Sequence, residues 1–154
     1  MVSNASINDS KDVTICSPKT DQDFLNYYQL RWEVLRKPWG QPKGSEKDSH
    51  ESNFYHLMAE KSSEVVGVGC IRVLDNDVAQ IRFMAVSPKH NKKGVGKMIL
   101  KGLEEYAGRK KKARIKLYAR ETAVPFYLKS GYNIIGDGYT FFEVIKHKQM
   151  EKTL

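Results

Sequence analysis

Along residues 78–86, Ala79, Ile81, Phe83 and Ala85 alternate with Gln80, Arg82 and Met84, a period of two that predicts a strand with unlike faces. The spacing then changes. Val95, Met98, Ile99, Gly102, Leu103, Tyr106 and Ala107 recur at steps of three and four, which predicts an amphipathic helix. Upstream, the pattern predicts a short strand over Asp12–Cys16 and a helix from Asp21 to about Arg36, capped by Thr20 or Asp21. A connection rich in Pro and Gly runs from Lys37 to about Asn53. Two strands follow, Phe54–Lys61 and Glu64–Leu74, around a polar turn at Ser62-Ser63. Downstream come a strand over Ala113–Ala119, a short helix over Glu121–Lys129, and a closing hairpin. Its strands are Tyr132–Ile135 and Tyr139–Lys146, with the turn at Gly136-Asp137-Gly138. These elements predict a mixed α/β class, with residues 1–11 as a flexible polar tail and residues 12–154 as a single domain.

The junction between the central strand and its helix, Val86-Ser87-Pro88-Lys89-His90-Asn91-Lys92-Lys93-Gly94-Val95-Gly96-Lys97, carries the candidate chemistry. The first N–H groups of a helix have no intrahelical partners and sit at the positive end of its dipole, and glycine lets phosphate oxygens approach closely. With Lys92, Lys93 and Lys97 beside it, this turn is suited to a pyrophosphate. A Gly-x-Gly pair alone is weak evidence, because turns use glycine for many purposes. An uninterrupted strand, turn and helix around it strengthen the signal.

Composition adds a setting. The chain has 26 basic and 18 acidic residues, for a formal charge of +8, and the excess clusters in Lys89–Lys101 and Arg109–Lys116. Such a field attracts polyanions. Nucleic acid remains a minor alternative, since no aromatic stacking platform or recognition helix accompanies the basic run Arg109–Lys112. Cys16 and Cys70 fall in predicted strands and read as small buried thiols, which suits a reducing cytoplasm. Without an apolar leader segment or a stretch long enough to span a bilayer, the protein is expected to be cytoplasmic and free of the membrane.

Three ordered pieces resemble the GNAT superfamily of N-acetyltransferases. Ala79–Pro88 resembles the family's fourth strand, and Asn91-Lys92-Lys93-Gly94-Val95-Gly96 resembles its pyrophosphate loop. Ala123-Val124-Pro125-Phe126-Tyr127-Leu128-Lys129-Ser130-Gly131-Tyr132 resembles its late helix and turn. The ending Glu143–Met150 is similar to an ElaA-like branch. The resemblance implies a sheet of six to seven strands, splayed at the fourth and fifth, with about four flanking helices. It further implies acetyl-CoA as co-substrate, held by Met84, Ala85, Val86, Asn91 through Lys97, Arg120 and Tyr127. Acetyl transfer would go to a small-molecule amine, with the Met84 N–H receiving the oxyanion and Tyr127 protonating the departing thiolate.

Three positions depart from the family's pattern. Asn91 stands where Arg or Gln is usual, Arg120 where Asn is frequent, and Gln80 where some members carry a general-base glutamate. Glu33, Glu121, Glu143 and water remain unranked as bases. A coenzyme A-binding or sensing module with little catalysis is therefore the alternative reading. Arg36, Trp39, Asp48 and Glu51 belong to the segment that shapes the acceptor pocket in the family, and their mixed charge suits an amino-acid-like amine. Trp32 and Trp39 read as packing residues, and His90 and His147 as solvated ones, although His147, near the last strand, could also line the cleft. His50, Glu51 and His56 match no standard ligand spacing, so no metal is expected. A homodimer through the closing hairpin is compatible with the sequence.

Overall fold

The structure is a computed structural model that describes residues 12–154; the tail expected over Met1–Lys11 lies outside the described residues. Seven strands, β1 (Thr14–Cys16), β2 (Tyr55–Lys61), β3 (Glu64–Val73), β4 (Val78–Val86), β5 (Arg114–Arg120), β6 (Asn133–Phe141) and β7 (Ile145–Thr153), form one sheet ordered β1-β2-β3-β4-β5-β7-β6. The ladder between β4 and β5 is parallel and pairs Val78–Gln80 with Arg114–Lys116, whereas β1–β2, β5–β7 and β6–β7 are antiparallel. Three α-helices accompany the sheet among the described residues: α1 (Asp21–Leu35), α2 (Val95–Arg109) and α3 (Val124–Lys129). The stretch read as one helix over Glu121–Lys129 divides into a 3-10 turn at Glu121–Ala123 and then α3, with Pro125 in its first turn. No helix of the described residues is long and apolar enough to cross a membrane.

The chain divides into two compact units. One runs through Cys70 and again over Phe83–Leu103; the other takes Ile71–Arg82 and Glu104–Leu154.

In the first unit, α1 begins in a capping box. Thr20 Oγ1 accepts the Asp23 N–H at 3.0 Å, and Asp23 Oδ2 accepts the Thr20 N–H at 3.1 Å. Tyr27, Leu30 and Leu35 then turn inward against Met58, Val65, Val68 and Ala85. Helix α2 approaches β3 so closely that a Cβ on Gly67 would lie 2.7 Å from side-chain atoms of Ile99 and Val95.

In the second unit, the closing hairpin differs from the expectation. Its turn lies at Phe142-Glu143, with φ of 51° and 62°, and Gly136-Asp137-Gly138 runs inside β6. Register shifts bracket those residues. A Cβ on Gly138 would stand 3.0 Å from His147 Cβ, so this glycine serves close approach between strands rather than reversal. The last strand correspondingly extends to Thr153 and pairs with all of β5, from Arg114↔Thr153 to Arg120↔His147. That ladder outweighs the cost of two non-glycine residues at positive φ, about 1–2 kcal/mol each.

Gly69→Val should destabilise the protein by about 1–3 kcal/mol through overpacking. Its first added atom would meet Met84 Sδ at 2.6 Å and Ile99 Cγ2 at 2.8 Å. The check is a lower urea midpoint at unchanged slope; an unchanged midpoint would mean that the close approach of α2 is dispensable.

Candidate functional site

The site residues expected on β4 and the following turn fall together in the first unit. Strand β4 ends where the Ser87 N–H donates to the Val66 carbonyl at 2.8 Å, and a 3-10 turn at Pro88–His90 follows. Asn91, Lys92, Lys93 and Gly94 are exposed, with Lys92 at φ 63° and Gly94 at φ 84°. Asn91 Oδ1 accepts the Lys92 N–H at 3.1 Å, so the side chain replacing the usual Arg or Gln braces the turn itself. The first helical bond of α2 runs from the Met98 N–H to the Gly94 carbonyl at 3.1 Å. The N–H groups of Val95, Gly96 and Lys97 therefore precede the helical ladder, at its positive end. Val95 anchors this terminus in the core at 2% exposure, while Lys97 stays exposed.

Inside β4, Phe83 has a φ of 55°, the backbone signature of a bulge within a strand. A bulky residue there is strained, and its ring is pinned. The Arg31 guanidinium lies 4.2 Å from the ring centroid, and Phe54 meets it edge-on at 6.3 Å. Met84 and Val86 are half-buried, and Ala85 is buried.

Arg31 was not singled out in the sequence, yet it is fully buried. Its Nη1 donates to Glu51 Oε1 at 2.8 Å and to the Glu46 carbonyl at 3.2 Å, and its Nη2 donates to Tyr27 Oη at 2.9 Å. The available signal was a charged residue four positions after Tyr27, within the inward stripe of α1. Glu51 also accepts from Tyr28 Oη at 3.0 Å and from the Asp48 N–H at 3.1 Å, so this residue of the expected acceptor segment is structural. Likewise Arg36 donates to the Ser45 carbonyl at 3.0 Å, and Trp32 Nε1 to the Gln41 carbonyl at 2.9 Å, which fits the packing role read for Trp32.

His56 joins the same network. Its Nε2 lies 2.9 Å from the Glu51 carbonyl oxygen, which can only accept, so Nε2 carries the proton and Nδ1 accepts from Tyr27 Oη at 2.8 Å. Burial pushes the imidazole below its ordinary pKa; the hydrogen bond to the Glu51 carbonyl, the next largest influence, opposes it, and the charge of Arg31 adds to the depression.

Tyr127 and Arg120 belong to the second unit. Tyr127 is 6% exposed and packs edge-on against Phe126 and Tyr132, at 5.0 and 5.6 Å between centroids. Burial raises its pKa, so it persists as a neutral phenol able to donate. Tyr132 is tied down in turn, because its hydroxyl donates to Glu104 Oε2 at 2.9 Å and Lys152 Nζ reaches the same oxygen at 3.1 Å. Arg120 is half-buried at the end of β5. Gln80 is buried and accepts from Arg72 Nη2 at 3.5 Å.

His147 corrects the expectation of a solvated histidine. It is 6% exposed, its Nδ1 lies 3.0 Å from the Ile145 carbonyl oxygen, and the Tyr139 ring sits 4.5 Å away. It pairs with Arg120, and the Tyr139 and Phe141 rings pack against it there. Of the carboxylates considered as bases, Glu33, Glu121 and Glu143 are all exposed. Glu143 sits in the turn after β6, and Glu33 accepts from Gln29 Nε2 at 2.7 Å. Cys16 and Cys70 are both free thiols; Cys70 is buried, but Cys16 is only half-buried.

A profile of the acetyltransferase (GNAT) family matches residues 24–132, which include β4, the turn, α2 and α3. The chain belongs to that family. It is 30% identical over 134 residues to an uncharacterized N-acetyltransferase of Bacillus subtilis (strain 168), YjcF, an alignment covering 87% of this chain and 95% of the relative. Among solved structures, Escherichia coli ElaA superposes with a TM-score of 0.76 at 18% identity, over 91% of this chain and 97% of its own. A GNAT acetyltransferase from Elizabethkingia anophelis with acetyl-CoA bound gives the same TM-score and identity, over 93% of this chain and 99% of its own. These structural likenesses establish the fold, and family membership makes the chain an acetyltransferase.

Acid should weaken this acetyltransferase through His56. Because its folded pKa is depressed, the unfolded chain binds the extra proton first, so stability is complete above about pH 6.5 and falls as pH drops below it. Urea titrations from pH 7.5 to 5 should show that loss, and His56→Gln should start less stable but decline less steeply. Parallel decline in both proteins would assign the acid sensitivity elsewhere.

Proposed function

We propose that this acetyltransferase moves the acetyl group of acetyl-CoA to the primary amine of a small molecule by direct attack in a ternary complex. The observation that carries the reading is the exposed turn at the start of α2, with Gly94 at φ 84° and the leading N–H groups of Val95, Gly96 and Lys97. A pyrophosphate needs just such convergent donors, and Lys92, Lys93 and Lys97 add charge. The acetyl-CoA present in the Elizabethkingia anophelis relative supports the same co-substrate here.

In this reading the pantetheine arm lies along β4 from Met84 to Val86, as an added strand. The left-handed Phe83 directs the next peptide, and the Met84 N–H is the donor for the developing oxyanion. The amine nitrogen bonds to the thioester carbon, and the tetrahedral intermediate collapses with cleavage of the carbon–sulfur bond. Tyr127 gives its proton to the departing thiolate and recovers one from solvent, while the new amide nitrogen loses its proton to water. Arg120 is assigned to the co-substrate or to an acceptor carboxylate. Gln80, already accepting from Arg72, takes no proton in this scheme.

Isothermal titration with acetyl-CoA tests the reading. Wild type should bind with one-to-one stoichiometry, and Gly94→Glu, which forces a side chain and a negative charge into the turn, should weaken binding more than about tenfold. Equal affinity in the two proteins would remove the cradle. Tyr127→Phe should lower kcat by about 10²-fold at nearly unchanged acetyl-CoA affinity. A fall in thermal stability that fully accounts for the lost activity would make Tyr127 a packing residue instead.

A further inference from the structure

Helix α3 is too short to hold itself. Its six residues make less than two turns, and an isolated helix of that length is not stable in water. What fixes Tyr127 therefore comes from outside the helix. The Tyr127 carbonyl accepts the N–H groups of Ser130 and Tyr132, each at 3.0 Å, and the Tyr132 ring stands edge-on to the Tyr127 ring. Backbone and ring of Tyr127 thus both rest on Tyr132.

Tyr132 is fixed in turn from two other elements of the second unit. Its hydroxyl donates to Glu104 Oε2 of α2, and Lys152 Nζ of β7 donates to the same oxygen at 3.1 Å and to the Ser130 carbonyl at 2.9 Å. Lys152 stands opposite Ile115, on the face of the sheet where Ile115 and Leu117 are buried. Gly131, at φ 94°, lets the lysine stem pass, since a Cβ there would lie 3.2 Å from Lys152 Cε. A cation beside the last carbonyls of a helix is also favoured by the negative end of its dipole. Tyr127 differs from these neighbours. Among the described residues its hydroxyl has no hydrogen-bond partner, and burial alone lifts its pKa. A phenol nearly removed from water is costly to leave without an acceptor, so its orientation is available to a ligand atom.

We infer that Lys152 and Glu104 are positioning residues for acetyl transfer: by fixing Tyr132 and the end of α3, they hold the Tyr127 hydroxyl ready to donate to the departing sulfur. Both act through Tyr132, and neither is assigned a contact with co-substrate or acceptor. The inference rests on the role proposed above for Tyr127 and extends it to two residues on other elements.

The test is a calorimetric titration of the full chain with coenzyme A and with desulfo-coenzyme A, which carries hydrogen in place of the thiol. At about pH 9 thiols ionise, and a hydrogen bond from Tyr127 to the sulfur is charge-assisted. Wild type should bind coenzyme A about tenfold tighter than the analogue, and Tyr127→Phe should bring that ratio close to one. Lys152→Met and Glu104→Ala should each reduce the ratio severalfold, and Lys152→Arg should restore it. Affinity for the desulfo analogue should stay the same in these three variants, which also shows that they fold. The inference is overturned if the ratio survives unchanged in Lys152→Met and Glu104→Ala, or if these variants weaken both ligands alike, the mark of a merely structural role. A ratio that depends on Tyr127 but not on Lys152 or Glu104 overturns this inference alone. A wild-type ratio near one, or one untouched by Tyr127→Phe, overturns the role of Tyr127 and this inference with it. Binding of neither ligand removes the coenzyme A reading as well.

Discussion

The first unit is organised around a charge that water does not reach. Taking a guanidinium out of water costs several kcal/mol, and the cost is offset only where nearly every N–H finds an acceptor and the flat faces find rings. Arg31 imposes that demand on four segments at once. Glu51 and Glu46 supply oxygens from the long connection, Tyr27 and Tyr28 supply a hydroxyl and ring faces from α1, Cys70 Sγ stands 3.7 Å away on β3, and Phe83 caps the guanidinium from β4. Such a cluster contributes less to net stability than to uniqueness, since any other placement of the connection would leave the cation unmatched. One consequence is that Phe83 keeps a conformation its side chain disfavours. The strained peptide that opens toward Met84 is thus held by a residue on another element.

The turn proposed to hold the pyrophosphate depends on a second constraint, the contact distance between α2 and β3. Gly67 and Gly69 provide no side chains, so Val95 and Ile99 settle directly onto the strand and Val95 is nearly inaccessible. The helix N-terminus is consequently fixed from below, while the Ser87 N–H bond to Val66 fixes the end of β4. Between these anchors only the turn from Pro88 to Gly94 is exposed. Donors held on rigid elements bind an anion without first being ordered, which is the economy that a pre-formed site offers.

What was legible in the sequence was local. The period of two over 78–86, the helical steps after Val95, the capping residues at Thr20 and the polar Ser62-Ser63 turn each encode their structure within a few residues, and the observed bounds agree closely. The exposed turn that opens α2 was legible for the same reason. Features set by distant partners were not. The reversal at Phe142-Glu143 carries no turn signal; it follows from the ladder that β7 makes along all of β5, which places Gly138 of β6 against His147. The burial of His147 has the same origin. Arg31 lies between these cases, because its place in an apolar stripe was visible but the oxygens that make it tolerable come from residues 46 and 51, across an irregular loop.

Gln80 joins the chemistry to these constraints. A glutamate at this position would lie beside the Arg72 guanidinium, and an adjacent cation lowers a carboxyl's pKa, making it a poor acceptor for an ammonium proton near neutrality. Here an amide accepts the guanidinium's hydrogen bond without carrying a charge. The substitution thereby leaves this position of β4 without a group that could take the proton of an ammonium.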